Sequence, residues 1–378
     1  MEQEKVDISF INGETEHVGK ALPGVEYSRT VLVTRFDALS DVITTIPVLY
    51  DACRCNPDVR VVMLTRSSMA ALFIERPDNL EIRGEESDVF DDALSVLRQV
   101  RQLHAEFQFD SFVDLQGIFK TSLARFWCKS HGLKVSMIDH GRKEKRELTR
   151  KHGKLMLPVK HTVERYREAM AAVGLEMRRV FKGLFYGATS LTNIYNEITE
   201  PRQEDAIWIG LAPFAKHEGK IYPLRLTEQV LRELSGRSKT TVFLFGGGPY
   251  EQKILGEWAR KYPSTISLAG KRNGFAVELA LIHDLDILVT MDSANMHMAS
   301  LVGTPVVTLW GATHPYCGYS GWNVPDENNV QLPMPCRPCS LYGDRPCLTG
   351  DYRCLARIKP EVVTARVDVV LKSNSFNN

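Results

Sequence analysis

The sequence predicts an α/β protein built from two doubly wound parallel sheets. Two observations carry that prediction: short apolar runs alternate with amphipathic helical stretches twice along the 378 residues, and the pattern lapses between the two series in a polar segment interrupted by Pro201. The composition agrees, since 44% hydrophobic and 25% charged residues is the balance of a folded chain long enough for two cores without disulfide or metal staples. Basic and acidic side chains number 47 and 46, so there is no global field to attract nucleic acid, and any basic partner surface must be local.

In chain order, residues 1–28 are polar and broken by glycines, and read as a tail or short hairpin. The first domain spans 29–190. It opens with a buried strand, VLVTRF, then a helix from near Asp41 and a second strand, VRVVML at 59–64. A helical run at 89–107, a strand at 109–115 and a further helical run from Ile118 to about His131 follow. A linker covers 191–205. The second domain, 206–359, carries strands at 206–212, 240–246, 265–269, 286–291 and 305–310 with helical stretches between them. A terminal helix and tail occupy 360–378, and the helix has the option of packing on either half. Two open α/β sheets hold ligands outside the carboxyl ends of their strands, so the chemistry is to be sought in the loops after strands, around a cleft shared by facing sheets.

The loop after the first strand holds Arg35, Asp37 and Asp41. Aspartate at a helix entry is most often a cap, and that is the favoured reading of Asp41; the functional alternative is a general base. In the second domain, Asp292–Ser293–Ala294–Asn295–Met296–His297 joins a strand to a helix, so the amides of Ser293 to Met296 offer an anion the positive end of that helix, with His297 one turn in. The loop after 206–212 brings Lys216 and Lys220, and Gly246–Gly247–Gly248 forms a strand-to-helix turn compatible with close approach of its backbone to a ligand. That turn lacks the lysine and hydroxyl of a nucleotide-triphosphate loop and the spacing of a dinucleotide fingerprint, which disfavours an ATPase or a nicotinamide enzyme.

Taken in order, VLVTRFDALSDVITTIPVL, FDSFVDLQGIFKTSLA (109–124), HTVERYREAMAAVGL (161–175), KIYP (220–223) and MDSANMHMASLVGTPVVTLWGATHP (291–315) resemble the family 9 glycosyltransferases, the ADP-heptose:lipopolysaccharide heptosyltransferases. The likeness runs from Thr30 to about Pro360. It implies a GT-B fold, two Rossmann-like domains facing a central cleft, and an inverting glycosyltransferase that needs no metal or other cofactor for catalysis. The implied substrates are a nucleotide-sugar donor, ADP-heptose, and an anionic lipid-linked saccharide acceptor such as the lipopolysaccharide core. By the same likeness the catalytic aspartate falls on Asp41, the phosphate-contacting lysine on Lys220, and the donor-binding pair on Asp292 and His297. Arg35, Asp37, Gln116, Lys120, Arg142, Lys143, Lys145 and Arg146 are the candidate acceptor contacts. The chain departs from the family pattern at Ser40, where glycine is usual, at Tyr222 for tryptophan, and at Ala294–Asn295 for Gly–Pro. Those departures motivate the alternative of a non-catalytic nucleotide-sugar or glycolipid binding protein on the same fold; retention of Asp41 argues against it.

Two further features complete the reading. Residues 129–154 carry nine lysines or arginines against three acids, a run able to dock an anionic acceptor at a membrane face. With no apolar stretch of spanning length and no signal-peptide pattern, the expected location is the cytosol, peripherally at the cytoplasmic face of the inner membrane. Cys336, Cys339, Cys347 and Cys354 form a C-x2-C-x7-C-x6-C array, for which a structural zinc stands beside buried thiols and a disulfide.

Overall fold

The structure is a computed structural model that describes residues 26–187, 191–271 and 273–375. Most of the expected tail or hairpin at 1–28 therefore lies outside the described residues. The chain forms two compact units. One contains the residues up to His140 together with Thr162–Leu184 and Gly274–Val277, and the other contains Gly141–His161, Phe185–Asn273 and everything from Glu278 onward.

In the first unit β1 (Arg29–Thr34) leads through a short loop into α1 (Leu39–Cys55), then β2 (Val59–Arg66), the single turn α2 (Ser67–Ala70) and β3 (Leu80–Glu85). After α3 (Ala93–Phe107) come β4 (Ser111–Asp114), α4 (Ser122–Ser130) and β5 (Lys134–Met137). All neighbouring strands pair in parallel, in the order β3-β2-β1-β4-β5. The direction of winding reverses between β1 and β4, which makes the carboxyl ends of those strands the switch point of the sheet. Leu32, Val62, Leu64 and Phe112 from the strands pack with Val96, Val100 and Leu103 of α3 and with Ala124 and Cys128 of α4.

The next segment was expected in the first domain but packs with the second unit. It carries α5 (Arg142–Leu148), and α6 (Thr162–Ala171) then returns to pack on α1 in the first unit. Specific polar contacts hold it: the Val159 amide donates to the Tyr316 carbonyl at 3.0 Å, and Lys154 donates to the carbonyls of Cys336 and Pro338 at 2.5 and 2.6 Å.

Beyond α7 (Thr192–Tyr195), the second unit runs β6 (Ile207–Ala212), α8 (Leu224–Ser235), β7 (Thr240–Leu244), α9 (Pro249–Lys261), β8 (Thr265–Ser267) and α10 (Gly274–His283). It continues with β9 (Ile287–Met291), α11 (Ala294–Val302), β10 (Val306–Trp310), β11 (Asn329–Gln331), the single turn α12 (Arg353–Ala356) and α13 (Pro360–Ser375). Its parallel order is β11-β10-β9-β6-β7-β8, so the switch point lies between β6 and β9. Val363, Val367 and Val370 of α13 join the core formed by β6, β7, β9 and α8, which assigns the terminal helix to this unit.

Candidate functional site

At the first switch point, β1 delivers Arg35 and β4 delivers Leu115 and Gln116 to one loop cluster. Arg35 is buried, donates to the Leu115 carbonyl at 2.8 Å and forms an ion pair with Asp41 in the first turn of α1. Burial alone would pull that guanidinium down, but the neighbouring Tyr166 and Asp41 hold it above its usual range. The Tyr166 hydroxyl also donates to the Asp41 carbonyl at 3.5 Å. The cap reading of Asp41 does not hold: the N-cap of α1 is Ala38, at φ 59°, with no side-chain cap. A true aspartate cap is seen at Asp92, which accepts the Leu94 and Ser95 amides at 2.7 and 2.9 Å. Asp41 is instead pinned by a guanidinium while its side chain stays 26% exposed. The positive φ at Ala38, uncommon for a residue with a Cβ, turns the chain sharply between β1 and α1 at this same spot.

Gln116 and Asp37 shape the loop. The Gln116 Oε1 accepts the amides of Phe36 and Asp37 at 3.1 and 3.2 Å, while its Nε2 donates to Asp37 at 3.1 Å. Asp37 also pairs with Arg66 at 3.1 Å. Lys120 reaches away to the Phe90 carbonyl at 2.9 Å. Gln116 and Lys120, named from the sequence as acceptor contacts, thus serve the scaffold. Of the other four, Arg142, Lys143 and Arg146 are exposed on α5, in the second unit. Lys145 is buried there, donating to the Tyr319 hydroxyl at 2.9 Å with its ammonium 4.1 Å from that ring's centroid.

At the second switch point, Lys220 ends a short 3-10 turn after β6, and its Nζ lies 3.0 Å from the Asp292 carboxylate at the end of β9. Thr313, beyond β10, donates to the same carboxylate oxygen at 2.8 Å. Arg337 braces that threonine's loop by donating to the carbonyls of Gly311 and Thr313 and to the Gln331 side chain. The backbones meet closely here: the Ala312 amide donates to the Gly219 carbonyl at 2.8 Å, and a Cβ at Gly311 would lie 2.4 Å from that carbonyl oxygen. Ser293, the N-cap of α11, makes no side-chain cap; its hydroxyl lies 3.1 Å from that of Thr290, so this residue leaves the first-turn amides of Ala294, Asn295 and Met296 at the positive end of the helix uncapped. His297 is buried one turn further along.

Thr313 and Arg337 escaped the sequence reading. A weak signal was present, since Arg337 sits between the cysteines of the C-x-x-C pair. Cys336, Cys339, Cys347 and Cys354 are unbridged, and among the described residues no group of three or more histidine, cysteine or acidic side chains is arranged to hold a metal ion. Burial pushes the Cys354 thiol up to about 11.

The remaining candidates separate from this cluster. Lys216 is exposed. Gly246 is needed for packing, because a Cβ there would meet Leu255 at 2.7 Å, and the Gly247 amide donates to Glu251 at 2.7 Å; Gly248 is exposed with open space around it. The glycine turn is thus closed by a carboxylate, the wrong sign for cradling phosphate. Tyr222 is buried, and its hydroxyl donates to the Ile358 carbonyl at 2.7 Å, a tie between the KIYP loop and the approach to α13.

Two parallel α/β units, each with a polar cluster at its switch point, place the molecule in the GT-B class of glycosyltransferases. Residues 96–346 match the model of glycosyltransferase family 9 (heptosyltransferase), and the chain belongs to that family. Among its relatives is lipopolysaccharide heptosyltransferase 3 of Escherichia coli (strain K12), 25% identical over 309 residues, 77% of this chain and 84% of the relative. The fold is similar to a solved family 9 glycosyl transferase from Veillonella parvula, with a TM-score of 0.70 at 16% identity, covering 92% of this chain and 98% of that one. It is also similar to the Escherichia coli heptosyltransferase WaaC with ADP-2-deoxy-2-fluoro heptose, with a TM-score of 0.61 at 16% identity, covering 90% and 99%.

Proposed function

We propose that the enzyme transfers heptose from ADP-heptose to the saccharide of a lipopolysaccharide core, with inversion at the anomeric carbon. The observation that carries this reading is the second switch point, where Lys220 and the uncapped start of α11 present positive charge to one place on the sheet edge. Charge flows in a defined direction during transfer. The sugar becomes cationic as its bond to the diphosphate breaks, and the diphosphate gains negative charge. Lys220 and the amides of residues 293–296 stabilise that leaving group, and Asp292, held by Thr313, positions the lysine. Asp41 takes the proton from the acceptor hydroxyl as it attacks, and Arg35 keeps the carboxylate aimed. The donor complex described for the WaaC relative supports the choice of nucleotide sugar.

The acceptor is anionic and lipid-linked, and the enzyme works at the cytoplasmic face of the inner membrane. The exposed Arg142, Lys143 and Arg146 support that assignment. Among the described residues no helix is long and apolar enough to cross a membrane. The test is direct: purified enzyme is given ADP-heptose and a heptose-deficient core oligosaccharide, and products are weighed by mass spectrometry. One added heptose with release of ADP is expected; tight donor binding without turnover would return the chain to the non-catalytic alternative.

A further inference from the structure

The outward face of α4 exposes Leu123 and Phe126 along with Lys129 and Ser130, while its inward face contributes Ala124 and Cys128 to the core of the first unit. Phe119 in the 3-10 turn that leads into the helix, Leu123 and Phe126 follow at i, i+4 and i+7 spacing and are 84%, 37% and 73% exposed. The adjoining edge strand β5 adds Met137, 49% exposed. Isolated exposed apolar residues are ordinary; two phenylalanines and a leucine in one helical stripe are not.

The charges around the stripe identify what it meets. Residues 115–138 contain Lys120, Arg125, Lys129 and Lys134 and no aspartate or glutamate. Arg125 is paired with Asp114 and Lys120 with the Phe90 carbonyl, whereas Lys129 of α4 and Lys134 of β5 are exposed. An apolar stripe on a segment that carries lysines and arginine but no acid of its own is the pattern of a segment lying in the interface of an anionic bilayer, and the exposed Asp91, Asp92 and Asp139 belong to the flanking elements. A second copy of the same face would oppose like charges.

Position strengthens the case. The loop that starts this segment is the one whose Leu115 carbonyl holds Arg35 and whose Gln116 holds the amides of Phe36 and Asp37. The stripe is therefore rooted one loop away from Asp41. We propose that Phe119, Leu123 and Phe126 insert into the headgroup region of an anionic membrane and present a bilayer-embedded acceptor to Asp41. This rests on the glycolipid-acceptor reading above, and goes beyond it in naming an apolar, salt-resistant contact separate from the basic residues of α5.

The test uses the full chain and the variant F119S/F126S. Exposed positions tolerate polar residues, and equal thermal melting of the two proteins checks the fold. Sedimentation with phosphatidylglycerol-containing vesicles is expected to capture the wild type, with part of the binding retained at high salt, and to capture the variant more weakly by about tenfold or more for each phenylalanine removed. Transfer to an acyl-free soluble acceptor should be equal in both, while transfer to vesicle-embedded acceptor should fall in the variant. Equal vesicle binding by the two proteins overturns the proposal, as does a stripe that governs oligomeric mass in light scattering instead of vesicle capture. Failure of the wild type on the soluble acceptor would strike the activity reading alone, because vesicle capture is read without turnover.

Discussion

Arg35 grips the Asp41 carboxylate while hanging from the Leu115 carbonyl at 2.8 Å, so the acid of α1 is oriented by groups from the ends of β1 and β4. The contact defines the acid as a positioned group instead of a helix cap, and it yields the first prediction. Asp41→Asn keeps the size and the hydrogen-bonding capacity but removes the proton acceptor. Turnover should drop by about 10²–10⁴-fold, the usual worth of a general base, with the affinity for ADP-heptose little changed. Calorimetric donor titration alongside steady-state rates checks it, and undiminished turnover would remove Asp41 from the chemistry.

Lys220 and Asp292 lie 3.0 Å apart with only 17% and 6% of their side chains exposed. Lys220→Met leaves the carboxylate with Thr313 as its remaining described partner and takes a cation from the leaving group. Activity should fall by about 10²–10³-fold, on the scale of losing one preorganised donor to a developing anion. Because the two residues form one unit, the double variant with Asp292→Asn should cost much less than the sum of the single losses. Strict additivity in the rate measurements would show that they act separately.

Tyr222 is buried, and its hydroxyl ties the KIYP loop to the Ile358 carbonyl. Tyr222→Phe should cost about 1–2 kcal/mol of stability, since a buried carbonyl loses its donor. The donor KM should stay near that of the parent because Lys220, the lysine proposed to meet the diphosphate, keeps its own contact with Asp292. Chemical denaturation measures the first quantity and initial rates the second; a variant as stable as the parent would argue that water replaces the lost donor.

His314 provides a pH dependence. Burial, assisted by Arg337, lowers its imidazole from 6.5 to about 4, and its Nδ1 accepts the Tyr316 amide at 3.1 Å. A folded-state value below the unfolded one means that the stabilisation is present above pH 6.5 and is lost progressively as the pH falls from 6.5 toward 4. His314→Asn retains an acceptor but does not titrate. Melting temperatures of the parent should therefore decline more steeply than those of the variant across that window, and parallel curves would dismiss His314 as the source.

Much of the architecture was legible before any coordinates. Buried strands such as β1 and β9 are continuous apolar runs, and the helices between them show their faces through periodic spacing. Strands β3, β5 and β11 were missed for a physical reason: LEIRGE mixes charge with apolar residues, KVSM lies half-buried to exposed at a sheet edge, and NVQ is only three residues long. Each alternates polar and apolar residues over only three or four positions, too short a trace to stand out. The loops that carry Asp41, Lys220 and Asp292 were also identifiable as candidates, because ligands gather where strands end.

The order of residues by itself determined the two α/β series and pointed to the acid, lysine and helix start proposed to carry the chemistry, since short-range periodicity and loop position are local properties. Only the tertiary structure decided that Arg35 holds Asp41, that Thr313 and Arg337 brace Asp292, that the glycine turn is closed by Glu251, and that residues 141–161 leave the first unit for the second. Most of these are contacts between distant parts of the chain, and even the nearer ones depend on how loops fold back against a sheet edge. Several of them pair polar groups that folding has buried, which no spacing along the chain encodes.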